Sequence, residues 1–214
     1  SYGKSSGGGY PVYQSNLTTF GYTAIGASTT DVGNGNKRAC KYTTPSNIST
    51  PLSIVVYCKA IAVPFPIRVG IYTDNAGAPN ALVADSVYTP VTGGSVPAWV
   101  TIPLTTAPSL TANTPYWVCV QAGDNGDPAD AVRLYYDAGG TNQRASRADA
   151  YADGLSDPFG APGYGNEQYS MYINYTSTGS GPQWISHPET GAPPAASTVF
   201  DAGLLGRDIY FAMG

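Results

Sequence analysis

Residues 66–90 read PIRVGIYTDNAGAPNALVADSVYTP, and this stretch indicates the fold class most clearly. Apolar residues alternate with polar or small ones from Ile67 to Ile71, the pattern of a strand that buries one face. In the segment that follows, 74–79, Asp and Asn side chains bond back to their own backbone, Gly tolerates positive φ and Pro fixes φ. Residues 81–88 return as a second strand. The stretch therefore predicts a long-looped β-hairpin.

The composition also favours short strands. The 214 residues include 26 Gly, 18 Pro and 17 Tyr, while only 11% are charged. Abundant turn formers together with aromatic and β-branched residues are typical of chains rich in strands. We predict an all-β fold, a jelly-roll-like β-sandwich of about eight to ten antiparallel strands with strand-like N- and C-terminal extensions.

Candidate strands recur at regular spacing, separated by turn segments such as TPSN at 44–47. They are predicted at residues 38–43, 52–60, 67–73, 83–91, 98–104, 116–122, 132–136, 145–151 and 168–175. The predicted organisation is an N-terminal extension (1–22), the sandwich (23–176), a Pro/Gly/Ser linker (177–198) and a C-terminal strand (199–214).

Charge and hydropathy exclude several classes of function. The net charge is −4, and the ten Lys and Arg residues are scattered, so no nucleic-acid partner is expected. No apolar run is long enough to predict a membrane-spanning helix. The single histidine, His187, falls in the linker, which leaves no general base beside a fixed nucleophile. No pair of carboxylates is singled out by its spacing, and we predict that the protein is not an enzyme.

Three cysteines, Cys40, Cys58 and Cys119, have no zinc-binding spacing. Cys40 and Cys58 share the inward parity of neighbouring strands, so we predict a disulfide between them. A bridge between Cys58 and Cys119 is the second choice. A third reading is that all three are small buried apolar side chains.

Acidic residues in two loops could hold a structural calcium ion, and no other cofactor is expected. Asp124, Asp127 and Asp130 lie in the segment DNGDPAD and supply the hard oxygens that calcium prefers. A second candidate set is Asp149, Asp153 and Asp157. The alternative for both sets is that they are ordinary turn residues.

Aromatic side chains are candidates for sugar binding, because a ring offers an apolar face with a polar tip. We single out Trp99, Trp117 and Tyr136, and the wider set adds Tyr135, Tyr164, Tyr169 and Tyr172. The alternative is that these rings fill the core. Acceptor sequons predict N-glycosylation at Asn16, Asn47 and Asn174 in a host that glycosylates.

Three segments carry a resemblance to a known family. They are VGIYTDNAGAP at 69–79, WVTIPL at 99–104 and LTANTPYWV at 110–118. With them, residues 37–175 resemble the choice-of-anchor β-sandwich modules of secreted bacterial and archaeal proteins, which are similar in layout to jelly-roll carbohydrate-binding modules. The resemblance implies an extracellular adhesive or structural module without defined catalytic residues.

The extensions suggest self-assembly. We predict an extracellular structural subunit that forms a filament or surface layer by head-to-tail strand addition with other copies of itself. The residues expected to insert into a neighbour are Tyr13, Leu17, Phe20, Leu205, Ile209, Phe211 and Met213. The alternative is a carbohydrate-binding or adhesin module of a secreted protein, whose partner is a glycan.

Overall fold

Two antiparallel sheets make up most of the computed structural model. The structure describes residues 17–61, 64–91, 96–123, 130–150 and 152–177, together with the backbone of 11–12 and 183–184. None of these residues forms a helix that could cross a membrane. The predicted all-β sandwich is confirmed.

The strands are short and follow one another along the chain. In order they are β1 (Pro11–Val12), β2 (Leu17–Gly21), β3 (Ser28–Gly33), β4 (Asn36–Thr43), β5 (Ile48–Ala60), β6 (Phe65–Asn75), β7 (Ala78–Asp85), β8 (Thr89–Val91), β9 (Ala98–Pro103), β10 (Pro115–Ala122), β11 (Ala131–Ala138), β12 (Arg144–Ala148), β13 (Gly163–Gly165), β14 (Glu167–Tyr169), β15 (Met171–Ser177) and β16 (Gln183–Trp184).

The chain divides into two units. The larger unit, Asn16–Gly179, contains β2 to β15. The smaller unit combines Ser1–Ser15 with Ser180–Gly214, and in it β1 pairs antiparallel with β16. The predicted C-terminal strand, with Leu205, Ile209, Phe211 and Met213, lies outside the described residues, as does Tyr13.

The larger unit is a sandwich of two sheets, each with seven strands in the described part of the chain. Sheet I has the order β13-β12-β4-β10-β6-β7, with β8 also paired to β6. Sheet II has the order β14-β11-β5-β15-β2, with β3 paired to β11 and β9 paired to β5. Leu17 and Phe20, predicted to lie in an N-terminal extension, belong to β2 and so to sheet II of the same chain.

Strand alternation builds the core between the sheets. In β5, Ile54, Val56 and Cys58 belong to the main buried cluster and are at most 1% exposed. Val55 and Tyr57 have the opposite parity and lie on the outer face of sheet II, because successive side chains of a strand point to opposite faces. The parity of each strand therefore assigns its side chains either to the core or to an outer face.

The opening hairpin forms, with a tighter turn than predicted. Asn75 pairs directly with Ala78, so the loop contains only Ala76 and Gly77. Both have positive φ, 52° and 90°, which matches the two-residue turns that follow the twist of a hairpin. Asp74 Oδ2 accepts a hydrogen bond from Gly77 N at 2.9 Å, which confirms its role as a turn former.

The strand predictions need correction in part. The predicted strand 83–91 is divided between β7 and β8, because the first strand begins directly after the tight turn and ends earlier. Strand β3 was not predicted. Its sequence, STTDVG, buries only Val32, so the apolar alternation that marks a half-buried strand is too short to detect there.

The three thiols of Cys40, Cys58 and Cys119 are free, so neither predicted disulfide is present. Cys40 lies on sheet I and Cys58 on sheet II; both belong to the main core, whereas Cys119 faces the outer side of sheet I. The Cys40 sulfur hydrogen-bonds to Glu167 O at 3.3 Å and accepts from Tyr169 N at 3.4 Å. Strand parity correctly placed Cys40 and Cys58 in one core, but their sulfurs do not meet. All three cysteines are small buried apolar side chains, which was the last of the three alternatives from the sequence.

Candidate functional site

The outer faces of the two sheets differ. The outer face of sheet I is covered by the segment 152–160, whose Leu155 and Phe159 pack on Tyr72, Trp117 and Cys119 in a second buried cluster. The outer face of sheet II instead carries four partly exposed aromatic side chains in mutual contact. They are Tyr135 on β11, Tyr57 on β5, Trp99 on β9 and Tyr172 on β15, and we call them the aromatic row.

The backbone register brings the aromatic row together. Tyr57 lies directly opposite Trp99 in the β5–β9 pair, and their ring centroids are 5.1 Å apart. On the other side of β5, Leu134 pairs with Cys58, which places Tyr135 beside Tyr57 with centroids 5.0 Å apart. The row thus crosses three neighbouring strands at one level of the sheet.

Trp99 extends the row across β5 to a fourth ring. Its centroid lies 5.2 Å from that of Tyr172, although β9 and β15 flank β5 on opposite sides. Val55 is the residue of β5 that pairs with Tyr172, and it is only 2% exposed although it lies on the outer face. The two rings therefore cover Val55, and Trp99 is held by its neighbours at a fixed position.

The rings do not share one plane. Successive rings in the row are tilted by 71° between Tyr135 and Tyr57, by 58° between Tyr57 and Trp99, and by 58° between Trp99 and Tyr172. The aromatic row therefore does not form one flat platform.

A charged row lies beside Tyr135 and Tyr57. Arg133 is in register with Asp31 on one side and with Lys59 on the other. The Arg133 guanidinium donates hydrogen bonds to both carboxylate oxygens of Asp31, at 2.7 and 2.8 Å. This hydrogen bonding holds the pKa of Asp31 below its usual value. Because Arg133 and Asp31 neutralise each other, Lys59 gives this row a net positive charge.

Amide and hydroxyl groups lie on the other side of the aromatic row. Asn174 on β15 pairs with Ser53 on β5, and Asn174 Nδ2 donates a hydrogen bond to Ser53 Oγ at 3.0 Å. Thr19 of β2 is the neighbour of Asn174 on its other side. The outer face of sheet II thus combines aromatic rings with hydrogen-bonding groups on both flanks.

Of the three predicted sugar-binding residues, the structure places only Trp99 in this face. Trp117 is fully buried in the cluster on sheet I, where its Nε1 donates a hydrogen bond to Asp74 Oδ1 at 2.7 Å. Tyr136 packs against the main core and contacts the ring of Tyr169. Tyr57 was not predicted, although its parity opposite to Cys58 in the candidate strand 52–60 was a usable signal.

The remaining predicted sites are distributed over the molecule. Asp124 and Asp127 lie outside the described residues, and Asp130 is buried; the described part of the chain contains no cluster of three potential metal ligands. The calcium prediction stays a prediction. Asp149 is paired with Lys37, and Asp157 accepts a hydrogen bond from Leu82 N.

The three glycosylation predictions remain predictions as well. Asn16 lies outside the described residues. Asn47 is exposed, and its side-chain oxygen accepts a hydrogen bond from the hydroxyl of Tyr175 at 3.0 Å. The amide nitrogen of Asn174, the atom that a glycan would modify, is engaged by Ser53 on the outer face of sheet II.

Comparisons with known proteins support the fold. No family model and no curated protein matches the sequence, so the resemblance to choice-of-anchor modules stays a prediction. A solved structure of the clostridial cysteine protease Cwp84 after propeptide cleavage is similar, with a TM-score of 0.56 at 12% identity. A second, described as the cysteine protease and lectin-like domains of Cwp84, a surface-layer-associated protein of Clostridium difficile, has a TM-score of 0.50 at 12% identity.

These matches cover 77% of this chain but only 41% and 37% of the Cwp84 chains. The chain therefore spans about two fifths of the length of the proteins it matches. At this identity the likeness shows a shared β-sandwich fold.

Proposed function

We propose that the protein is a carbohydrate-binding module of a secreted or cell-surface protein and that it binds a glycan on the outer face of sheet II. The observation that carries this proposal is the aromatic row, four contiguous rings on a sheet face that is not covered by the segment packed on sheet I. Sugar rings present apolar faces to aromatic side chains and hydroxyl groups to polar ones. The flanking rows of Arg133 and Asn174 offer the polar partners.

The tilt between the rings supports one class of glycan over another. A flat, crystalline polysaccharide surface needs rings that lie in one plane, whereas the rings here are tilted by 58° to 71°. The expected ligand is a single, twisted polysaccharide chain in solution. The protein is proposed to bind this chain without cleaving it.

The lectin-like domain in the description of one Cwp84 structure supports a sugar-binding role for a sandwich of this kind. Its description as surface-layer-associated supports a role outside the cell. Both statements concern Cwp84, and their bearing on this chain rests on the fold alone.

Binding to a panel of soluble glycans tests this function. Trp99→Ala and Tyr135→Ala each remove one ring, and we expect each to weaken binding about tenfold or more, since burying an aromatic ring contributes about 1.5 to 3 kcal/mol. Tyr164→Ala is the matched control, because Tyr164 is an aromatic residue of sheet I and is 41% exposed. The proposal would be contradicted if the wild type bound no glycan, or if Trp99→Ala and Tyr135→Ala bound as tightly as Tyr164→Ala.

A second function, assembly into a filament by strand addition, is supported by one observation. Strand β2 stands at the end of the order in sheet II, and its Leu17 is 54% exposed. An edge strand offers backbone groups on which a strand from another copy can pair. Electron microscopy at high protein concentration tests filament assembly, and a variant lacking 199–214 serves for comparison. A full-length chain that stays monodisperse and forms no fibres would exclude assembly.

A further inference from the structure

A buried ion pair lies at the border of the cluster on sheet I. Lys37 follows the parity of Ala39 on β4 and therefore lies on the outer face of this sheet. Its side chain is 0% exposed, and that of its partner Asp149 is 9% exposed. Two opposite charges have thus been removed from water, although the desolvation of each ion opposes its burial.

The surroundings of the Lys37 amine are fixed. Its Nζ lies 3.0 Å from Asp149 Oδ2, 2.6 Å from Ser156 Oγ and 3.3 Å from the hydroxyl of Tyr72. The ring of Phe159 lies 4.1 Å from the same nitrogen. The amine and the carboxylate are therefore in direct contact in an environment that is largely removed from water.

Hydrogen bonds hold both the backbone and the carboxylate of Asp149. The backbone nitrogen of Asp149 donates to Gly35 O at 2.7 Å, which continues the pairing of β12 with β4. Ser156 N donates to Asp149 Oδ2 at 3.0 Å. The side-chain amide of Gln121 hydrogen-bonds to the carbonyl of Asp149 at 3.3 Å and to that of Gly154 at 3.1 Å. The two groups therefore meet in one orientation, the condition under which intramolecular reactions are fastest.

We propose that Lys37 and Asp149 form an intramolecular amide, a covalent cross-link between β4 and the residue that follows β12. A proton passes from the Lys37 ammonium to the Asp149 carboxylate, and the neutral Nζ attacks Cγ. The bond between Cγ and the protonated oxygen then breaks, and a second proton from Nζ leaves with that oxygen as water. The Ser156 hydroxyl, 2.6 Å from Nζ, is placed to pass this second proton. One hydrogen stays on the amide nitrogen, so no oxidant or other reactant is needed.

The cross-link would close a loop that contains most of the sandwich strands, from β4 to β12. A covalent link of this kind restricts the unfolded chain and ties the end of β12 to β4. The observation is independent of the aromatic row, which lies on the other sheet. The cross-link and the glycan-binding proposal can therefore stand or fall separately.

The intact mass of the folded, reduced protein tests the proposal. We expect the wild type to be lighter than its sequence by one water molecule, and a protease digest to contain a branched peptide that joins Lys37 to Asp149. Lys37→Met and Asp149→Ala should both have the full mass of their sequences. Lys41→Met is the matched control, since Lys41 lies on the same strand and face, and it should keep the loss of water.

Two outcomes would overturn the proposal. One is the full sequence mass for the folded wild type. The other is a loss of water that persists in Lys37→Met, which would place it elsewhere, for example in a cyclised Asp153–Gly154 pair. Because the wild-type mass is measured directly, the result does not depend on whether the variants fold.

Discussion

Replacing Trp117 by phenylalanine is expected to lower the free energy of unfolding by about 3 kcal/mol and to leave glycan binding unchanged. The indole is fully buried between β10 and the segment that covers sheet I. The substitution removes the 2.7 Å hydrogen bond from Nε1 to Asp74, a bond to a charged group. It also leaves a void where the larger ring was.

The size of the effect follows from these two losses. A hydrogen bond to a charged acceptor contributes about 1.5 to 3 kcal/mol, and the lower end applies because Asp74 is partly exposed and also bonds to Gly77. Shrinking a buried ring adds about 1 to 1.5 kcal/mol. For a domain of this size the midpoint of thermal unfolding should fall by about 6 to 12 °C.

Trp99→Phe is the matched comparison. Trp99 is partly exposed on sheet II, and its replacement by phenylalanine should change the free energy of unfolding by less than about 1 kcal/mol. Urea unfolding, followed by circular dichroism, measures both variants. If Trp117→Phe is as stable as the wild type, or if it loses glycan binding without losing stability, the assignment of Trp117 to a structural role is wrong.

Two further predictions concern the core. Gly26→Ala should lower the free energy of unfolding, measured in urea, by about 3 kcal/mol or more, because an added Cβ would lie 2.2 Å from the backbone of Tyr136. Gly33→Ala is the control. Its Cβ would have no atom nearer than 3.8 Å, so the free energy of unfolding should be nearly unchanged. Burial raises the pKa of the Cys40 and Cys58 thiols to about 12, and it raises that of the third thiol as well, so the reactive thiolates are absent at pH 8. A thiol reagent should therefore label none of the three thiols in the native protein and all three in denaturant without reductant. If only one thiol is labelled in denaturant without reductant, the other two form a disulfide and the assignment of three free thiols is wrong.

The hairpin at 66–90 illustrates what local sequence can predict. Its alternation and its turn residues act within a few positions of one another, so the strand β6 and the turn at Asp74 were predicted correctly. The length of the loop was not, because Ala76 adopts a positive φ that alanine rarely takes without a partner strand to impose it.

The functional site shows the limit of the same reasoning. Parity indicates that Tyr57 and Trp99 each point away from the core side of their strands, but the pairing of β5 with β9 is needed to place them side by side. Trp117 lies in a strand of equally regular alternation, but the segment at 152–160 covers the sheet face to which it points. Trp117 is therefore part of a buried cluster and has a structural role. A sequence cannot distinguish a covered outer face from an open one by alternation alone.

The sequence by itself determined the all-β class, most of the strands and the turn chemistry of the hairpin, because these depend on side-chain alternation and on backbone preferences of neighbouring residues. The tertiary structure decided which strands are adjacent, which outer face is covered, and that Lys37 meets Asp149 in a dry environment. These contacts join residues far apart in the chain, and the free energy that selects them comes from packing and burial rather than from any local pattern.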